Sequence, residues 1–212
     1  MTNEIDYTLK LLILGGTNVG KTSFFNKIQN NSAYFSESTI GVDFTKMYYH
    51  INNKQIKVNI WDTTGQDDFH TIIRSYFRDI CGIVLMFDVS KPETCKKLEC
   101  WLKILLHDQA CCHDHPILLL GNKGDLQNNT DAVEIDKLIQ QYKLSYREIS
   151  CKTDTYTHLE EIFTSFLREI MESGYVDDCC GIKKMGTVRS HVTLNDIPHT
   201  VSTNSGIGCN IV

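Results

Sequence analysis

The strongest constraint on this chain is the segment Gly15-Gly16-Thr17-Asn18-Val19-Gly20-Lys21-Thr22, which reads G-x-x-x-x-G-K-T. Thr8 to Gly15 form an apolar run ending in glycines, the pattern of a buried strand, and a helix is expected from about Lys21 to Ile28. A strand that turns through glycines into a helix start commits the chain to layered α/β packing. It also builds an anion site. Glycines let the backbone curl so that N–H groups converge on phosphate oxygens, and the helix N-terminus adds favourable partial charge. In that context Lys21 is placed to reach β- and γ-phosphates, and the Thr22 hydroxyl to ligate Mg²⁺. Gly15, Thr17, Asn18, Val19, Gly20, Lys21, Thr22 and Ser23 are therefore the candidate phosphate-binding residues. The motif implies a nucleoside triphosphate and leaves its base unspecified.

Strand and helix patterns alternate along the rest of the chain. Phe44–Ile51 and Gln55–Trp61 read as strands joined at Asn52-Asn53, a hairpin signal. Gly82–Asp88 and Pro116–Gly121 are continuous apolar strands, and Tyr146–Ile149 is a short one. Pro92 sits near a helix start, with Leu98, Trp101, Leu102 and Leu105 at helical spacing. Asp131–Tyr142 and Leu159–Met171 read as amphipathic helices, the first turning Ile135, Leu138 and Ile139 to one side. Continuous apolar strands separated by helices imply a mostly parallel sheet covered on both faces, with ligands at the carboxyl ends of its strands. Asn30 to Ser38 is polar and loop-like. After Gly174 periodicity stops, so residues 1–173 are expected to form one domain and 174–212 a flexible tail.

The base is specified by Asn122-Lys123-Gly124-Asp125 at the end of a core strand. A carboxylate there accepts two hydrogens from guanine, N1–H and the 2-amino group, a pair that adenine lacks; a mismatch leaves polar groups unpaired. Ser150-Cys151-Lys152 follows the next strand, placed to complete the pocket. Trp61-Asp62-Thr63-Thr64-Gly65-Gln66 ends another strand. Asp62 can hold Mg²⁺ through water, the Gly65 N–H can bond the γ-phosphate, and Gln66 can orient attacking water. Thr39 can offer its hydroxyl to Mg²⁺ and its N–H to the γ-phosphate, so that loss of that phosphate would release both loops.

Bulk properties narrow the class. The chain has 212 residues, 42% hydrophobic and 22% charged, with a formal net charge of −5. That composition supports a globular core, and the charge argues against a general nucleic-acid binder. No apolar run is long enough to span a bilayer, and Met1 to Lys10 lacks the apolar core of a secretory signal. The nine cysteines are expected to be thiols in a cytosolic setting. The cluster Cys111, Cys112, His113 and His115 lacks a Cys-x-x-Cys pair, and a surface loop is its simpler reading.

These four motifs, in this order, resemble the Ras superfamily of small GTPases over about residues 7 to 172. Within it the Rab family is most similar, through Ser38-Thr39-Ile40-Gly41-Val42-Asp43-Phe44, Trp61 to Phe69, and Ser75-Tyr76-Phe77-Arg78 with Cys81-Gly82-Ile83. The resemblance implies a P-loop fold of six strands flanked by five helices and a GTP/GDP switch in vesicle traffic. It further implies an exchange factor, a GTPase-activating protein, a GDP dissociation inhibitor and effectors as partners of a monomer. Phe44, Trp61 and Tyr76 would form an effector-facing aromatic patch; core packing is the alternative for them. An aromatic from the loop before Thr39 would stack on guanine, with Tyr34 favoured over Phe35.

Three departures from the family pattern carry expectations of their own. Thr64 stands where most members have Ala, and Thr17 where Ras has Gly. Crowding beside the γ-phosphate by these β-branched hydroxyl residues would make intrinsic hydrolysis slow, and the alternative function is a Rab-like scaffold that stays GTP-bound. The chain ends Cys209-Asn210-Ile211-Val212, a C-a-a-X pattern with an imperfect second position. Prenylation of Cys209, with Cys179 and Cys180 as a second lipid signal, would carry the protein between the cytoplasm and the cytosolic face of an endomembrane or the plasma membrane.

Overall fold

Strand β1 (Tyr7–Gly15) sets the plan of the molecule. Successive side chains of a strand point to opposite faces. Leu9, Leu11 and Ile13 enter one core, Leu12 and Leu14 the other, and all five are fully buried. Both faces of such a strand must be covered. The computed structural model describes residues 5–30, 41–65, 75–107 and 115–173.

The remaining strands are β2 (Val42–Ile51), β3 (Lys54–Thr63), β4 (Gly82–Asp88), β5 (Ile117–Asn122) and β6 (Ser145–Glu148). They form one six-stranded sheet in the order β2-β3-β1-β4-β5-β6. β2 runs antiparallel to β3, and the other pairings are parallel. The antiparallel pair closes through Asn52 and Asn53 at φ 51 and 60, the two left-handed residues of a tight hairpin turn, as the sequence anticipates.

Among the described residues there are four helices, against the five implied by the resemblance: α1 (Lys21–Ile28), α2 (Pro92–His107), α3 (Ala132–Tyr142) and α4 (Tyr156–Glu172). α1 and α4 share the first core, where Phe163 meets Phe24 and Tyr49 at ring-centroid distances of 6.2 and 5.9 Å. Burying a phenylalanine side chain contributes about 1.5–3 kcal/mol. α2 and α3 supply Leu98, Trp101, Leu102, Ile135 and Leu138 to the second core. The last two helices begin at side-chain caps. Asp131 accepts from the Val133 N–H at 2.9 Å and Thr155 from the His158 N–H at 3.2 Å.

The cysteines depart from the all-thiol expectation. Cys95, Cys100 and Cys151 are free. Cys81, buried just before β4, is disulfide-bonded, and its partner lies outside the described residues. Burial pushes the Cys151 thiol up to about 12 and that of Cys95 up to about 11, leaving both un-ionised at neutral pH. Among the described residues no cluster of three or more His, Cys, Asp or Glu could hold a metal, and no helix is long and apolar enough to cross a membrane.

Candidate functional site

The carboxyl ends of β1, β3, β4 and β5 bring Gly15, Asp62, Asp88 and Asn122 to one edge of the sheet. The phosphate loop starts where β1 ends. Gly15 has φ 142 and Gly20 φ 101, backbone conformations that side-chain-bearing residues rarely adopt. A Cβ on Gly15 would strike the Met86 carbonyl, and one on Gly20 the Asn122 amide. Gly20 caps α1 with no side-chain hydrogen bond, unlike Asp131 and Thr155. The N-terminus of α1 thus carries no side-chain cap, and its partial positive charge favours an anion there.

Lys21 is buried, and its Nζ donates to the Gly15 and Gly16 carbonyls at 2.9 and 2.8 Å. Burial holds its ammonium down at about 8, against the raising effect of Asp62. Asp62 is fully buried, and burial pushes its carboxyl up to about 6 although Thr22 and Lys21 oppose the shift. Its Oδ2 accepts the Thr22 hydroxyl at 2.5 Å, while its buried Oδ1 has no hydrogen-bond partner. A hard cation takes oxygen ligands of this kind, and an orphaned buried carboxylate oxygen beside a hydroxyl fits Mg²⁺. A cation and an anion both pushed toward neutrality in one cleft mark a candidate functional site. Ser23 lies half-buried in the first turn of α1, one residue behind Thr22.

The base motif and the phosphate loop are stitched together. Asn122 donates from Nδ2 to the Val19 carbonyl at 2.8 Å and accepts the Cys151 N–H at 3.0 Å. Lys123, with φ 70, donates to the Asn18 carbonyl at 2.8 Å. Asp125 is oriented from both sides. Ser150 Oγ donates to its Oδ1 at 2.6 Å, and Lys152 Nζ lies 3.7 Å from its Oδ2. The Ser150 bond does most to hold the Asp125 carboxyl below its usual range. Ser150 Oγ in turn accepts the N–H groups of Lys152 and Thr153 at 3.2 and 3.1 Å. Cys151 contributes through its backbone; its side chain is buried in the core with α1 and α4.

Gly65 lies against the phosphate loop. A Cβ there would fall on the carbonyl group of Gly16 and the amide nitrogen of Thr17, well inside contact distance. The Thr17 hydroxyl donates to the Gly65 carbonyl at 2.8 Å, a bond between the two motifs that their separate readings miss. Thr64 is buried, and its N–H donates to the Gly41 carbonyl at 2.9 Å. Phe44, Trp61 and Tyr76 stack in a row with centroids 4.5 and 5.2 Å apart. Phe44 is 38% exposed, whereas Trp61 and Tyr76 pack partly into the second core, as the core-packing alternative expects of those two. Tyr34, Phe35, Thr39, Gln66 and the tail cysteines Cys179, Cys180 and Cys209 lie outside the described residues.

Asp88 is the functional candidate that sequence reading overlooked. Its Oδ2 lies 2.6 Å from Lys123 Nζ. No spacing rule links the two, because they meet through the pairing of β4 with β5.

Comparison with known proteins agrees with this geometry. The Ras family model matches residues 10–172. Among curated relatives, "Ras-related protein Rab-13" of Rattus norvegicus is 32% identical over 176 residues, covering 81% of this chain and 84% of its own length. "Ras-related protein RAB1BV" of Beta vulgaris is 33% identical over 173 residues, 80% of this chain and 79% of that protein. "Ras-related protein Rab-1D" of Dictyostelium discoideum is 34% identical over 173 residues, 80% and 83%. With its six-stranded sheet and its stitched phosphate and base motifs, this chain belongs to the Ras family and is a Rab-like small GTPase.

Proposed function

We propose that this protein is a vesicle-traffic switch that binds GTP and GDP with Mg²⁺ and hydrolyses GTP to GDP and phosphate. The observation that carries the reading is the bracing of Asp125 by Ser150 on a motif tied to the phosphate loop through Asn122 and Lys123. One ligand with a guanine edge at one end and phosphates at the other matches both halves. Thr22 and Thr39 would hold Mg²⁺ directly and Asp62 through water. The ion, when bound, would neutralise charge on the β- and γ-phosphate oxygens.

The chain's own residues then position the reactants. Lys21 and the loop N–H groups bind phosphate oxygens, the Gly65 N–H meets the γ-phosphate, and Gln66 orients the attacking water. A partner supplies an arginine to the transition state. Tyr34 stacks on the base. Residues 1–173 carry this chemistry, and the 174–212 tail anchors the protein to a cytosolic membrane face through prenylated Cys209, with Cys179 and Cys180 as further lipid sites. Exchange factor, activating protein, dissociation inhibitor and effectors act through the loops around Thr39 and Gln66. No observation favours a permanently GTP-bound scaffold over the cycling switch.

Single-turnover hydrolysis of preloaded GTP tests this reading. Wild type should turn over, and Gln66→Leu should be slower by about tenfold or more, since a positioned group of this kind contributes at least that much. A wild type that retains GTP but turns over no faster than Gln66→Leu would refute the hydrolytic role. The Thr17 hydroxyl predicts a second rate. Its bond to the Gly65 carbonyl holds that peptide against the loop, where the Gly65 N–H would meet the γ-phosphate, so Thr17→Ala should slow single turnover roughly threefold, the equivalent of a single neutral hydrogen bond. An unchanged rate would show that the bond does not position Gly65 for hydrolysis, and a faster one would show that crowding by Thr17 outweighs it.

A further inference from the structure

Asp88 is 1% exposed at the end of β4, and its carboxylate is used from both sides. Oδ1 accepts the Ser90 N–H at 2.9 Å and the Ser90 hydroxyl at 2.6 Å, while Oδ2 pairs with Lys123 Nζ at 2.6 Å. Its backbone is pinned as well. The Asp88 N–H donates to Thr94 Oγ1 at 3.0 Å, and that hydroxyl's hydrogen is shared between the Lys91 carbonyl at 2.7 Å and the Asp88 carbonyl at 3.0 Å. The carboxylate is thus a fixed anchor. Lys123 passes the constraint on, because its Nζ also donates to the Asn18 carbonyl in the phosphate loop.

Lys123 and Asn18 both hold left-handed backbones, with φ 70 and 60. Residues with side chains keep such conformations where their surroundings over-determine them. Burial alone would push the Asp88 carboxyl up, yet the bonds from Lys123 and Ser90 outweigh it and hold the carboxyl below its usual range. It is an anion at neutral pH, and Lys123 Nζ pairs with it while also donating to the Asn18 carbonyl.

We propose that Asp88 is a positioning residue for guanine-nucleotide binding. By anchoring Lys123 against the Asn18 carbonyl, it fixes the base motif and the phosphate loop at the separation that one bound nucleotide spans. This rests on the reading of the site as a guanine-nucleotide site. A purely structural tie would predict lower stability with unaltered nucleotide retention.

The test is the release rate of a fluorescent GDP analogue from the full-length chain in Mg²⁺, for wild type, Asp88→Asn, Lys123→Met and the double variant. Asp88→Asn keeps the shape and removes the charge, and should speed release at least about tenfold. If Asp88 works through Lys123, the double variant should release no more than about twofold faster than Lys123→Met alone, the non-additivity of residues in one network. Unchanged release from Asp88→Asn would overturn the inference while leaving the nucleotide site intact. Additive acceleration in the double variant would overturn it too, since Asp88 would then act by another route. A wild type that does not retain the analogue would overturn the nucleotide reading itself. Should Asp88→Asn fail to fold, Ser90→Ala probes the same relay one step back. It should speed release about two- to threefold, and no change there would overturn the inference.

Discussion

Replacing Asp125 by alanine should weaken GDP binding by about two to four orders of magnitude. The carboxylate would accept two hydrogens from guanine, and a hydrogen bond to a charged group contributes about 1.5–3 kcal/mol, which together give roughly 3–6 kcal/mol. The bracing from Ser150 Oγ at 2.6 Å means little ordering remains to be done on binding. Competition calorimetry with GDP and inosine diphosphate gives the decisive comparison. Inosine lacks the 2-amino group, so wild type should bind it at least about tenfold more weakly, while Asp125→Ala should bind both equally. If Asp125→Ala retained wild-type affinity and preference, Asp125 would not be the base-reading residue.

Gly65→Ala should separate binding from hydrolysis. The added methyl would meet backbone atoms of Gly16 and Thr17, which cannot swing aside as a side chain tip could. Gly65 would be displaced from the phosphate loop and its N–H from the γ-phosphate. GDP binding, which draws on Lys21, the N-terminus of α1 and the base motif rather than on the Gly65 N–H, should stay within about threefold of wild type. Hydrolysis should fall about a hundredfold or more, the usual loss of one preorganised donor to developing charge. Single-turnover rates at saturating GTP measure this. A variant hydrolysing at the wild-type rate would remove Gly65 from the proposed machinery.

How much of this the sequence disclosed depends on the range of the forces involved. The spans Lys21–Ile28 and Gly82–Asp88 match expectation because glycines and apolar periodicity bound them locally. β3 runs past the expected Trp61 to Thr63 because polar Asp62 and Thr63 are buried at the site edge, where the Thr63 hydroxyl donates to the Ile13 carbonyl at 2.7 Å. α4 starts at Tyr156, before the expected Leu159, because Thr155 caps a first turn whose amphipathic pattern begins late. On that helix Ile162 is partly buried at the border of its core, and Leu159 takes a fully buried place. The phosphate and base motifs were legible because each is a local pattern tied to a strand end. The Asp88–Lys123 pair and the Thr17–Gly65 bond were not, because each joins segments that only the tertiary fold brings together.

The side chain of Asn122 has a consequence for how such a protein lets go of its ligand. One amide holds the Val19 carbonyl with one hand and the Cys151 N–H with the other, so phosphate loop, base motif and the segment after β6 meet at a single residue. The two ends of a nucleotide are then not gripped independently. A partner that levers the phosphate loop by a fraction of an ångström strains the amide, and through it the pocket around the base. On the proposed reading of the site, eviction would need purchase at one end alone, and a partner that never touches guanine would still empty its pocket.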